Sequence, residues 1–200
     1  FWMPFTYAQI NYLARFMAYQ EWSHSLPEQP TEEFLKFISE DTPLARKLRE
    51  KWLYHLASQK NWKTFLQYYQ PSNDISLQCL DLQAEYNAGP TDRAIHQAQV
   101  LWLTGESRPP ACNLLFSNML KNGQINDKLI STRIRLALDK SNLGLARYLL
   151  RQFPHPRLAD IDLLNSIYQK PEGVIHLNFA ELHDEFYLYG LKRLVSLNMK

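Results

Sequence analysis

Hydrophobic positions recur along this chain with the period of a helix, and two-residue alternation is scarce. In "TPLARKLREKWLYHLASQ" the residues Leu44, Leu48, Trp52 and Leu56 return every fourth position, and Ala45, Leu53 and Ala57 widen the stripe. That spacing predicts one apolar face on an amphipathic helix. Arg46, Lys47, Arg49 and Lys51 flank it and are expected to cover a solvated surface. Breakers follow at short intervals. Lys60-Asn61 precedes "WKTFLQYYQ", Pro71-Ser72-Asn73 ends it, and "ISLQCLDLQAEY" stops at Asn87-Ala88-Gly89-Pro90. Thr91 is placed to cap "DRAIHQAQVLWL" and Gly105 to close it, while Asn122-Gly123 closes "ACNLLFSNMLK". Asn126 caps "DKLISTRIRLAL", Ser141-Asn142 turns into "LGLARYLLRQF", and Pro154 and Pro156 separate that run from "RLADIDLLNSIYQ". Such residues on either side of an apolar-periodic run are start and stop signals.

The pattern predicts roughly ten helices of about 10 to 17 residues on short connections, which make neighbours antiparallel. The fold class is therefore all-α. Most of these helices carry one or one and a half apolar faces, which suits pairs stacked in a row better than a closed bundle. "LDLQAEYNAGPTDRAIHQAQVLWLTG" looks like a tetratricopeptide helix pair, but the turns are irregularly spaced. The expected architecture is an irregular, solenoid-like α-superhelix.

Composition changes this picture little. Over 200 residues, 46% are hydrophobic and 21% charged, which is ordinary for a globular protein and too apolar for disorder. A formal charge of +2 is too small to supply a phosphate-binding field, so nucleic acid is a poor partner. No run of about 18 apolar residues is present to span a membrane. The chain opens on "FWMPF" without a basic leader and closes directly on a helical pattern, which reads as an excised piece of something longer.

The two cysteines are Cys79 and Cys112. Each lies near the start of a predicted helix, and in an up-down-up run those two helices are parallel. Packed axes lie about 8 to 10 Å apart, and a disulfide needs Cα atoms within about 7 Å, so facing side chains could bond and clamp the corner at 103–111. Two buried free thiols fit the sequence equally well. No set of metal ligands accompanies them, and no cofactor motif is present: no Gly-rich phosphate loop, no HExxH, no Ser/His/Asp order. His155, His176 and His183 read as turn or surface residues. Glu32-Glu33 and Asp184-Glu185 fall where negative charge suits a helix N-terminus.

Residues 76–150 resemble the N-terminal region of the soluble lytic murein transglycosylases. The residues that carry this are Cys79, the Tyr86-Asn87-x-Gly89 turn, "LWLTG" at 101–105, PxACxxLF from Pro109, "RIRLAL" from Arg133, and NxGLA from Asn142. "TYAQI" near the start resembles that family's first helix more weakly. The resemblance implies a periplasmic enzyme, exported with its leader removed. Its α-superhelical part would form one end of a larger ring, and a lysozyme-like catalytic domain would lie downstream. Residues 1–200 would then be one non-catalytic superhelical domain. The enzyme would cut the β-1,4 bond between N-acetylmuramic acid and N-acetylglucosamine, leaving a 1,6-anhydro end. The resemblance also implies a disulfide between Cys79 and Cys112.

In that family the acid/base is a Glu in a Glu-Ser dipeptide, followed downstream by Gly-Leu-Met-Gln. Glu106-Ser107 is the only such dipeptide here, and no such motif follows it. A general acid also needs burial to raise its pKa, which a Gly-flanked corner does not provide. No residue of this chain is therefore assigned to catalysis. The expected partners are peptidoglycan glycan strands and the protein's own catalytic domain. The 13% aromatic content offers surfaces for sugar faces, and Arg147, Arg151 and Arg157 are candidate partners for peptidoglycan carboxylates. The competing reading is a stand-alone helical-repeat adaptor that binds another protein.

Overall fold

Side chains that cap free backbone N–H groups decide where most helices begin. In the computed structural model, which describes residues 7–176 and 183–198, Thr31, Thr42 and Thr91 accept from the N–H groups of Phe34, Ala45 and Ala94, each at 3.2 Å. Asn61, Asn126 and Asn142 do the same for Thr64, Leu129 and Leu145. A cap of this kind contributes about 1 kcal/mol, enough to fix the register of short helices. No strand occurs among the described residues. The chain divides into two compact units, Phe1–Ala88 and Gly89–Lys200.

The first unit holds α1 (Tyr7–His24), α2 (Glu32–Ser39), α3 (Pro43–Ser58), α4 (Trp62–Tyr68) and α5 (Ile75–Ala88). Neighbours in sequence pack together (α2 on α3, α3 on α4, α4 on α5), and so do alternate helices, α1 on α3 and α3 on α5. That is how a stack of pairs packs. The stripe read from α3 supplies its centre: Ala45, Leu48, Trp52, Leu53 and Leu56 are buried. Trp52 is fully enclosed, its indole N–H donates to the Pro27 carbonyl at 2.8 Å, and Phe34 meets its ring edge-on at 5.1 Å. The basic flank of α3 is only partly a solvated surface. Arg49 donates to the Ile38 carbonyl and Lys51 to the Ser23 carbonyl, tying α3 to the ends of α2 and α1.

The second unit holds α6 (Asp92–Trp102), a 3-10 turn (Pro110–Cys112), α7 (Asn113–Lys121), α8 (Asp127–Asp139), α9 (Leu143–Leu150), α10 (Leu158–Gln169), a second 3-10 turn (Pro171–His176) and α11 (His183–Asn198). Here α8, α9, α10 and α11 pack in order, and α11 also returns onto α8. Lys192 on α11 pairs with Asp139 on α8 at 2.7 Å. Several helices are shorter than the sequence pattern suggests: α4 has 7 residues, α2 and α9 have 8 each.

The end of α6 corrects one expectation. Gly105 does not close that helix, since Leu103 is its last capping residue. Gly105 lies beyond it, where an added Cβ would stand 2.1 Å from the Leu136 carbonyl oxygen of α8. Glycine is required there because α8's backbone fills the space. Gly105→Ala is therefore expected to lower the urea unfolding midpoint by the equivalent of about 1 to 3 kcal/mol. Gly173→Ala, where a Cβ meets nothing within 4 Å, serves as the control.

Residues 1–5 and Thr6 of "TYAQI" lie outside the described residues, as does the side chain of His183. His155 and His176 are exposed. Glu32 and Glu33 stand in the first turn of α2, and Asp184 and Glu185 in the first turn of α11.

Candidate functional site

The corner between α6 and α7 is held by side chains that reach its carbonyls. Arg133 on α8 donates from Nε to Thr104 O at 3.2 Å and from Nη2 to Glu106 O at 3.3 Å. Asn142 Nδ2 donates to Gly105 O at 3.3 Å, and Arg108 Nε to Leu101 O at 2.8 Å. The Arg133 guanidinium lies 3.9 Å from the Trp102 ring centre, and Phe116 meets the same indole edge-on at 5.1 Å. A cation over an indole face is an attractive arrangement, strongest when desolvated. Arg133 is only 2% exposed. Burial, reinforced by the charge of Arg108, pulls its pKa down to about 10.

A cavity of about 210 Å³ opens beside this stack. Trp102, Phe116 and Leu145 give it apolar walls, and Arg133 lies among them. Ser107, Arg108, Asn113 and Tyr148 line it as well, of which Ser107, Asn113 and Tyr148 are exposed. No carboxylate is among its lining residues.

The outer face of α9 runs on from Tyr148. Arg147 and Arg151 are four residues apart and share that face, with Arg147 half-buried and Arg151 exposed. Arg151 Nη1 donates to the Arg147 carbonyl, while the Arg147 Nε has no hydrogen-bond partner among the described residues. Arg157, the third arginine expected from the sequence, is placed differently. It begins α10, pairs with Asp160 and lies over the Phe153 ring. Its charge is thus already neutralised.

Neither cysteine is a free thiol. Both are fully buried and disulfide-bonded, and as the chain holds two, the bond is Cys79–Cys112. Glu106 is exposed in the corner, and only its backbone is engaged, with its N–H donating to Thr104 Oγ1 and its carbonyl accepting from Arg133. It lacks the apolar enclosure that a general acid requires. Among the described residues no group of three or more His, Cys, Asp or Glu could hold a metal, and no helix is long and apolar enough to cross a membrane.

Sequence reasoning missed Arg133 and Arg108. Arg133 did leave a signal: Ile130, Ile134, Ala137 and Leu138 set the buried face of α8, and position 133 falls on that face. An arginine there must find partners in the interior. Arg108, in an irregular loop, left none.

No family profile matches the chain. It is similar to the soluble lytic murein transglycosylase of Escherichia coli K12, with 29% identity over 163 residues, and to that of Salmonella typhimurium, with 31% over 163 residues. These alignments take in 80% of this chain and 25% of each relative, so the chain spans about a quarter of the relatives' length. Among solved structures, the 70 kDa soluble lytic transglycosylase of Escherichia coli matches 92% of this chain with 31% of its own, at a TM-score of 0.80 and 25% identity. An inactive mutant of lytic transglycosylase Slt from Pseudomonas aeruginosa matches 94% of this chain with 32% of its own, at 0.78 and 30% identity.

Proposed function

We propose, on the premise that this chain is a relative of the soluble lytic murein transglycosylases over about a quarter of their length, that it is the non-catalytic α-superhelical part of a periplasmic enzyme of that kind. It holds glycan strands and braces a catalytic domain that lies elsewhere in the protein. That domain cleaves between N-acetylmuramic acid and N-acetylglucosamine and leaves 1,6-anhydro ends. The observation that carries this reading is the agreement in fold with those enzymes along nearly the whole chain. The helical stack supplies a rigid frame, and the exposed Glu106 supplies no shielded acid.

Glycan contact is assigned first to the outer face of α9, where Arg147 and Arg151 flank the exposed Tyr148. Aromatic faces stack on sugars, and guanidinium forks match carboxylates. Arg157 is a weaker member because Asp160 occupies it. The test is co-sedimentation with purified peptidoglycan sacculi. The chain should sediment with them, and Arg147→Ala combined with Arg151→Ala should lower the bound fraction by about two- to fivefold, the scale of two exposed ion pairs. Arg157→Ala should change it little. A chain that stays in solution at every sacculus concentration counts against the reading.

The second reading is a helical-repeat adaptor for another protein. It is favoured by an exposed apolar face on α1, where Tyr12, Leu13 and Met17 are each more than half exposed. An adaptor would not sediment with sacculi.

A further inference from the structure

Arg133 presents an electrostatic problem that the fold leaves open. Its head group is buried, and it donates from Nε and Nη2 to two neutral carbonyls. Among the described residues no carboxylate pairs with it. The charge that acts on it most, that of Arg108, has the same sign and adds to the burden. A buried cation is normally paired, because leaving it unpaired costs several kcal/mol. Trp102 shows a second unmet demand at the same place: it is 1% exposed, and among the described residues its indole N–H has no acceptor. Both side chains line one cavity, whose other polar groups are Ser107, Arg108, Asn113 and Tyr148. This is a site rich in donors, with no negative charge of its own.

We propose that this cavity binds a compact organic carboxylate. The charge preference is set by two guanidinium groups, Arg108 and Arg133, in a cavity whose lining residues include no carboxylate. The preference for carboxylate over phosphate follows from the walls. Trp102, Phe116 and Leu145 give a short hydrocarbon a surface to lie on, while a planar carboxylate matches a guanidinium edge in two parallel hydrogen bonds. Inorganic phosphate would satisfy the donors and leave those walls uncovered. The volume, about 210 Å³, is below that of pockets for drug-sized ligands, so the acid is small or is the terminus of a longer molecule. The inference rests on the cavity alone and stands or falls apart from glycan binding by α9.

The experiment is a titration of the full chain, labelled with ¹⁵N, followed at the indole N–H signal of Trp102, which is assigned by its loss in Trp102→Phe. N-acetylalanine should shift that signal saturably. Its carboxamide, equal in shape and uncharged, should not, and inorganic phosphate should bind more weakly than the acid. Arg108→Gln, whose side chain is only half-buried, should keep the spectrum of a folded chain and weaken N-acetylalanine by about tenfold, the worth of one charge-assisted hydrogen bond. Arg133→Gln should abolish binding. If that variant unfolds, Arg108→Gln decides alone. Equal shifts with acid and carboxamide, tighter binding of phosphate, or full affinity in Arg108→Gln would each overturn the proposal.

Discussion

Trp52→Ala is expected to destabilise the first unit by about 3 to 5 kcal/mol, the usual cost of emptying a large aromatic site in a packed core. Trp52 touches more than its own helix. Phe34 of α2 meets its ring at 5.1 Å and Tyr68 of α4 at 5.3 Å, and Phe34 in turn packs on Trp22 of α1 at 5.5 Å. Its indole N–H also reaches Pro27, between α1 and α2. Removing the ring therefore opens a cavity shared by several elements and leaves the Pro27 carbonyl without that donor. Trp52→Phe should restore much of the packing but not the hydrogen bond, and so recover most of the loss. Urea unfolding followed by circular dichroism measures both. A midpoint unchanged in Trp52→Ala would mean that α3 is not the centre of this unit.

The second large effect belongs to the disulfide. Removing it with the pair Cys79→Ala and Cys112→Ala, or with reductant, is expected to cost about 3 to 4 kcal/mol, because the bond closes a loop of about 33 residues and restricts the unfolded chain. Both sulfur atoms are fully buried, so mild reductant should act slowly on the folded protein and quickly once urea opens it. Thiol titration of exported protein in denaturant, without reductant, should find no free thiol. Two free thiols per chain would refute the bond. Identical unfolding curves with and without reductant would remove its stabilising role.

What could be read in advance followed from local chemistry. Caps Thr91 and Asn126, the turn at Ser141-Asn142 and the stripe on α3 depend on residues within a turn or two of one another, and the structure has them as read, with Asn142 also capping α9. The all-α class follows from the same periodicity. Three features were not readable, and each depends on a distant partner. Gly105 looks like a helix stop in sequence but is required by Leu136, on another helix. Arg133 looks like one more charge in "RIRLAL", yet it is partnered by Trp102 and by the carbonyls of a corner almost thirty residues earlier. Arg157 looks as free as Arg151 until Asp160 is seen beside it. The 3-10 turn Pro171–His176 is a fourth, smaller case. Its "PEGVIH" has breakers at the front, and only the burial of Pro171 and Val174 against α10 and α11 gives it order.

The proposed function has these residues hold and orient while bond cleavage is done elsewhere in the protein. It is tested most directly by incubating this chain alone with purified sacculi and analysing the supernatant by chromatography with mass detection. The chain should bind the sacculi and release no soluble muropeptides, however long the incubation. Release of muropeptides with 1,6-anhydro ends by this chain alone, above that from a heat-unfolded sample, would contradict it.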